Sequence, residues 1–312
     1  MKIEISVNRI IAVVLLAVLF AGCEKSDLSE GIKPETAYTN FFLASDVMRK
    51  RNYVHIYLND SVPNETYRRY PFMDKIELGY FEFPSATGGQ VNRDLVGWTH
   101  NTQGYVFYQP LEPGEQKVIF TNGGANRSDR GPDTRIFLKD SLLNLAPGSY
   151  TNVYLADDVD NNTFRIVTTK EDRNMPIEEG KTLLRVINLC PDAGPLIITR
   201  VYDDGRAEEV EGFPAVLPFG QYTAYTSFDT EGLEAELNSL AFSIASADNP
   251  YVQLLTAVVP AIDGAMHTLV VHGFRYPTTR GIIKGYDPYV GMPMYQNYEV
   301  GPSLTTTLRR SR

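Results

Sequence analysis

Two neighbouring stretches decide the fold: Ser149-Tyr150-Thr151-Asn152-Val153-Tyr154-Leu155 and Thr163-Phe164-Arg165-Ile166-Val167-Thr168. Both are rich in β-branched and aromatic residues, and both alternate every second position. Between them lies Asp157-Asp158-Val159-Asp160-Asn161-Asn162, an Asx-rich turn, so the pair reads as a β-hairpin. Other short runs have the same grammar: Tyr53–Leu58, Gln103–Tyr108 and Gln116–Phe120, each bounded by Gly, Pro, Asn or Asp. The 24 Gly and 19 Pro among 312 residues are enough to divide the chain into many short elements. Helical periodicity is scarce, and Leu233–Leu240 fits a helical turn or a strand equally well.

The polar run Glu171–Gly180, with Pro176 inside it, predicts a boundary. A second series of strands then runs through Lys181–Cys190, Ile197–Tyr202, Gln221–Ser227, Ala241–Ala245, Val252–Val258 and His267–Val271. The two series share a pattern. Gly148–Leu155 matches Gly264–Val271 with a one-residue offset, and Val54–Asp60 matches Ile198–Asp204, so the economical reading is two copies of one β module. The expected architecture is all-β, two sandwich domains in tandem over 37–172 and 180–276. Residues 277–312 form a Gly/Pro/Tyr-rich C-terminal extension with weak periodicity.

The N-terminus reads as an address. Lys2 and Arg9 precede an apolar run, Ile10–Gly22, that would rise only about 20 Å as a helix, short of the roughly 30 Å of a bilayer core. A basic start, a short apolar core and small residues at the end make 1–22 a signal peptide. Leu19-Phe20-Ala21-Gly22-Cys23 resembles the lipobox of bacterial lipoproteins, with Phe20 where Leu is commonest; in that family the cysteine is acylated, which here implies Cys23. Stable anchoring needs more than one acyl chain. Residues 23–36 are a polar tether, and the acids just after Cys23 resemble the surface-export signal of Bacteroidota lipoproteins. The resemblance implies an outer-membrane or cell-surface location. The formal net charge is -9, so the body repels anionic lipid and nucleic acid alike.

Arg185-Val186-Ile187-Asn188-Leu189-Cys190-Pro191-Asp192-Ala193 resembles the opening strand and turn of the domain-of-unknown-function family 4397. Val201–Gly205 and Leu217–Tyr222 are similar to its next segments. The family usually has Ala-Ser where this chain has Leu189-Cys190, and the corresponding Leu43-Ala44-Ser45-Asp46 lacks the proline. The resemblance covers about 181–275 and, more weakly, 38–157. It implies an extracytoplasmic Ig-like or transthyretin-like sandwich and no known activity.

Chemistry is hard to find. Gly-x-Ser-x-Gly and His-Glu-x-x-His are absent, so no catalytic residue and no cofactor is expected. His267 and His272 are five apart on one strand and point to opposite faces, so they cannot share a metal. Asp158-x-Asp160-x-Asn162 opens like a calcium loop, but Thr163 and Thr169 stand where Gly and Glu are required; no metal is expected. Cys190, with no His or Asp beside it in sequence, reads as a small buried hydrophobe. Asp192 reads as an acceptor closing its own turn, and Arg309-Arg310 as a solvated face. The ligand-binding candidates are aromatic: Trp98, Tyr105 and Tyr108. The expected function is a lipid-anchored envelope protein acting as a non-enzymatic binding or adhesion module, held to the membrane by lipid and partnered by a glycan or an envelope protein, with no nucleic acid. The alternatives are a glycan-binding accessory of a polysaccharide-uptake system, or a fimbria-like component pairing through a strand such as Met292–Val300.

Overall fold

The computed structural model describes residues 36–49, 54–58, 76–77, 106, 108–122, 136–230, 238–286, 289–290 and 292–311. The fold is all-β. In chain order the first series comprises β1 (Ala37–Leu43), the one-turn helix α1 (Asp46–Arg49), β2 (Val54–Leu58), β3 (Ile76–Glu77), β4 (Gln109–Leu111), β5 (Gly114–Asn122), β6 (Ile136–Leu145), β7 (Tyr150–Asp158) and β8 (Thr163–Glu171). The second comprises β9 (Lys181–Leu189), β10 (Leu196–Val201), β11 (Ala207–Glu209), β12 (Thr226–Asp229), β13 (Ser239–Ser246), β14 (Asn249–Pro260), β15 (Met266–His272), β16 (Thr278–Tyr286), β17 (Pro293–Val300) and β18 (Thr305–Arg310).

The sheet orders are β4-β1-β7-β8 and β3-β2-β5-β6 in the first series, and β12-β9-β15-β18 and β11-β10-β13-β14 in the second. The two halves are the same topology. Each first strand pairs parallel with its seventh, β1 with β7 and β9 with β15. The difference is at the end: β8 follows β7 through a tight turn, whereas the β16–β17 hairpin intervenes before β18 takes the equivalent place.

Backbone bonds set the alignment of the repeats. Gly148 N–H donates to Thr36 O at 2.8 Å, as Gly264 N–H donates to Lys181 O at 2.9 Å. Tyr38 N–H donates to Ser149 O and Leu183 N–H to Ala265 O. Gly148 and Gly264 hold φ of 70° and 69°, a left-handed conformation that glycine adopts without steric cost. The two glycine-led strands therefore superpose without the one-residue offset that the side-chain pattern alone asked for.

Strands β1, β7, β9 and β15 are buried on both faces, as parallel pairs generally are. On β1, Ala37, Phe41 and Leu43 enter the first sandwich core with Ile56, Val118, Phe120 and Val153. The alternate residues Phe42 and Ala44 face the other way and pack with Tyr154, Ala156, Ile187, Leu189 and Val270. On β9, Leu184 and Val186 join Phe242, Ile244 and Val259 in the second core. Two sandwiches are thus stacked back to back in four layers, with the β1/β7 and β9/β15 sheets inside. Fully burying each large side chain of this middle layer contributes roughly 1.5–3 kcal/mol.

Residues 277–312, read from the sequence as an extension, supply β16, β17 and β18. β18 completes the second inner sheet against β15. Phe274, Ile282 and Val300 reach into the first sandwich core. The insertion between β15 and β18 therefore leaves the second repeat and caps the first.

Candidate functional site

The seam between the inner sheets is where polar chemistry concentrates. Arg185, on the seam face of β9, is 2 % exposed. Its guanidinium donates to the Glu171 carboxylate, to Thr169 Oγ1 at 2.8 Å, to Thr268 Oγ1 at 2.9 Å and to Lys170 O at 3.0 Å. Glu171 also accepts from Asn152 Nδ2 at 2.7 Å and from the Tyr225 hydroxyl. Burial pushes the Tyr225 hydroxyl well up from its ordinary pKa, so it stays a neutral donor. Arg185 lies over the Tyr225 ring at 4.7 Å. A buried charge pair is tolerated only when its remaining hydrogen-bonding capacity is filled, and here the carboxylate takes three donors.

A second arginine answers the first. Arg309 of β18 is also 2 % exposed. It donates to Asn40 Oδ1 of β1 and to the Tyr154 hydroxyl of β7, at 3.1 Å for the latter. The repeat alignment lays Asn40 over Arg185, and Thr169 over Arg309 through their pairing with the equivalent residues Asn152 and Thr268. The contact Arg185–Thr169 thus exchanges into Asn40–Arg309 when the repeats are swapped, the signature of an isologous, two-fold arrangement within one chain. Arg309 was expected at a solvated face. Two adjacent arginines in a Thr-rich run look solvated in sequence, but strand alternation sends the first inward to the seam.

The sequence-derived site residues fall unevenly. Cys23, Trp98 and Tyr105 lie outside the described residues. Tyr108 is half-buried, and its ring meets Tyr150 edge-on at 5.1 Å. Tyr150 in turn stacks on Tyr38 at 4.9 Å and carries the Arg173 guanidinium at 5.0 Å. The Tyr108 hydroxyl is pushed up in pKa, mainly by burial and next by Glu171. Tyr108 is therefore part of the seam. Two residues before it, Val106 N–H donates to Arg310 O at 2.8 Å, so this segment bridges β18 and, through β4, β1.

The family-like motif is built for structure. Asn188 Nδ2 donates to Leu217 O at 3.0 Å, and its Oδ1 accepts from Cys190 N–H at 3.0 Å. Asp192 does not close its own turn; its two oxygens accept from the backbone N–H groups of Arg275 at 2.7 Å and Tyr276 at 2.8 Å. No local pattern could announce a partner more than eighty residues away. The Cys190 thiol, two residues back, also donates to Asp192 Oδ1 at 3.4 Å. Burial pushes the Cys190 thiol up to about 12, which keeps it protonated and unreactive.

The equivalent acid of the first repeat is Asp46, which accepts from Ser303 Oγ. Asp46 and Asp192 thus grip the two ends of the same insertion. At its neck Phe274 N–H donates to Ser303 Oγ at 3.0 Å, and a Cβ on Gly273 (φ 90°) would fall 2.3 Å from Ser303 O.

The acidic turn holds no cation geometry. Asp158 accepts from Asn161 N–H at 3.3 Å, and Asn162 takes a φ of 48°, as an Asx hairpin turn requires. Asp157 points the other way, 2 % exposed, and accepts from Ser45 Oγ at 2.9 Å and Arg280 at 3.3 Å. Burial holds its pKa up at about 6 despite Arg280. His267 faces the second core and His272 the seam, where it bonds Thr307 Oγ1 at 2.9 Å. Among the described residues no three His, Cys, Asp or Glu side chains come together as a metal site. No described helix is long and apolar enough to cross a membrane.

Residues 91–199 match the model of a domain of unknown function, DUF4397. The chain is similar to that family over about a third of its length. The match contains Arg185–Ala193, whose seam and turn contacts are described above, and ends within β10. It leaves outside it Val201–Gly205 and Leu217–Tyr222 of the wider likeness. It straddles the two repeats, taking β4–β8 of the first and β9 with most of β10 of the second. No curated protein matches the chain.

Proposed function

We propose that this protein is a lipid-anchored component of a bacterial cell envelope, acting outside the cytoplasm as a non-enzymatic binding or adhesion module. The observation that carries the anchor is Leu19-Phe20-Ala21-Gly22-Cys23 at the end of a short apolar run. A polar tether and an all-β body follow it, an order suited to a domain displayed from a membrane. The described buried ion pairs support a scaffold role: Arg185–Glu171 joins the two inner sheets, and Arg280–Asp157 ties the inserted hairpin to β7. The glycan-uptake alternative needs open aromatic faces in a row, and half-buried Tyr108 packs against Tyr150 within the seam. A surface position in the outer membrane is part of the same proposal.

Fractionation tests the anchor. The native chain is expected in the membrane fraction, and Cys23→Ala in the soluble one. If the alanine variant stays with membranes, the anchor is wrong. An array of envelope polysaccharides and envelope proteins probed with the full-length Cys23→Ala chain reads the binding role. Turnover of any of them, with release of products, would contradict a purely binding function.

A further inference from the structure

Strand β14 is the last strand of its sheet: it pairs with β13, and among the described residues no strand pairs with its other edge. Its sequence, NPYVQLLTAVVP, carries no charge over Asn249–Pro260. It exposes Tyr251 at 96 %, Val252 at 47 % and Val258 at 56 %. Edge strands of soluble proteins are ordinarily guarded by charge, proline or a bulge within the pairing stretch. The equivalent edge strand β6 follows that rule, with Lys139 and Asp140 at its middle. In β14 the bulge falls near Leu254, and the prolines stand at the second and last positions, leaving Leu255–Val259 regular and unguarded.

We infer that the free edge of β14 is an interface that pairs antiparallel with β14 of a second copy of this chain, making a closed two-fold dimer with one eight-stranded sheet. The regular stretch is self-complementary. With the dyad at Ala257, Leu255 faces Val259 of the other copy on the core side, and exposed Thr256 faces exposed Val258 on the outer side. A small residue sits at the dyad itself. Residues directly opposite in an antiparallel pair share a face, and this register respects that. The strand's nearest acids, Asp248 and Asp263, bracket it. For a chain of net charge -9, an uncharged edge is the place where two copies meet with least repulsion. The inference does not depend on the lipid anchor.

The test uses the full chain in mild detergent, with protein mass read by light scattering across micromolar concentrations. The expected mass is twice that of the single chain weighed under denaturing conditions. The double variant T256K/V258K places lysines opposite each other across the dyad, and its mass is expected to halve. T256K/V258E places opposite charges there and is expected to restore the dimer. Both positions are solvent-exposed, so the circular dichroism spectra of both variants should match that of the parent. A parent that is monomeric throughout overturns the inference. So does an open-ended series of larger species, or a T256K/V258K variant that remains dimeric.

Discussion

The two repeats share a strand order yet solve their ends differently. In the first, β7 turns straight into β8 through Val159–Asn162. In the second, the chain leaves β15 at Gly273, builds the β16–β17 hairpin and returns at Ser303 to form β18. The first repeat therefore borrows core residues from the second, while among the described residues every core residue of the second comes from its own segment. What this teaches is that sequence similarity between repeats and self-sufficiency of repeats are separate matters. Two acids at matching turns, Asp46 and Asp192, have kept one task, which is to hold the borrowed piece in place.

The largest effect should come from breaking what the repeats share. Glu171→Ala leaves Arg185 buried without its carboxylate, and removing one partner of a buried pair costs about 3–5 kcal/mol. Urea unfolding should show that loss, and a change under about 1 kcal/mol would mean the seam is hydrated. Phe274→Ala, at a fully buried position, should cost about 3 kcal/mol. Hydrogen exchange should locate the loosening in β2, β5 and β6 of the first sandwich, although residue 274 belongs to the second repeat; loosening confined to β13 and β14 would refute the borrowing.

Titration sharpens the comparison, because β7 and β15 carry groups of opposite sign. Asp157 has a folded pKa of about 6 against an ordinary 3.8. Its contribution is therefore full below about pH 4 and is lost as pH rises through about 6, amounting to about 3 kcal/mol. His267 is pushed down to about 4 from 6.5, first by burial and then by Arg310. Its contribution is present above about pH 6.5 and is lost as pH falls through about 4, by a similar amount of about 3 kcal/mol. The two nearly cancel between those limits. Asp157→Asn should unmask a loss of stability on acidification, and His267→Gln a gain. Denaturant midpoints measured from pH 4 to 7 decide it; parallel curves for parent and both variants would dispose of the idea. Smaller still, Asp192→Asn should cost about 1–2 kcal/mol, because a neutral amide oxygen accepts more weakly from the Arg275 and Tyr276 amides.

Much of this was readable in the chain. The runs at 150–155, 163–168, 241–245 and 267–271 lie within β7, β8, β13 and β15; β8 and β13 alternate because one of their faces is less buried, whereas β7 and β15 are buried on both faces and are legible from β-branched and aromatic content after a glycine turn. The Asp-Asn turn and the repeat were legible as well. β6 was not, because Lys139-Asp140-Ser141 interrupts its apolar series. Nor was the stacking of the two sandwiches. Strands buried on both faces lose the alternation that would show which face meets what, and nothing in Arg185 or Arg309 distinguishes a seam arginine from a solvated one. Of the candidate site, only Tyr108 can be placed, and its position follows from long-range pairing that no local pattern encodes.

The neck at Gly273 and Ser303 also orders events in time. Synthesis delivers the first sandwich's strands early, but Phe274, Ile282 and Val300 emerge only with the final eighth of the chain. Until then the early half has its walls without its lid, and apolar surface stays open until the last strands have left the ribosome.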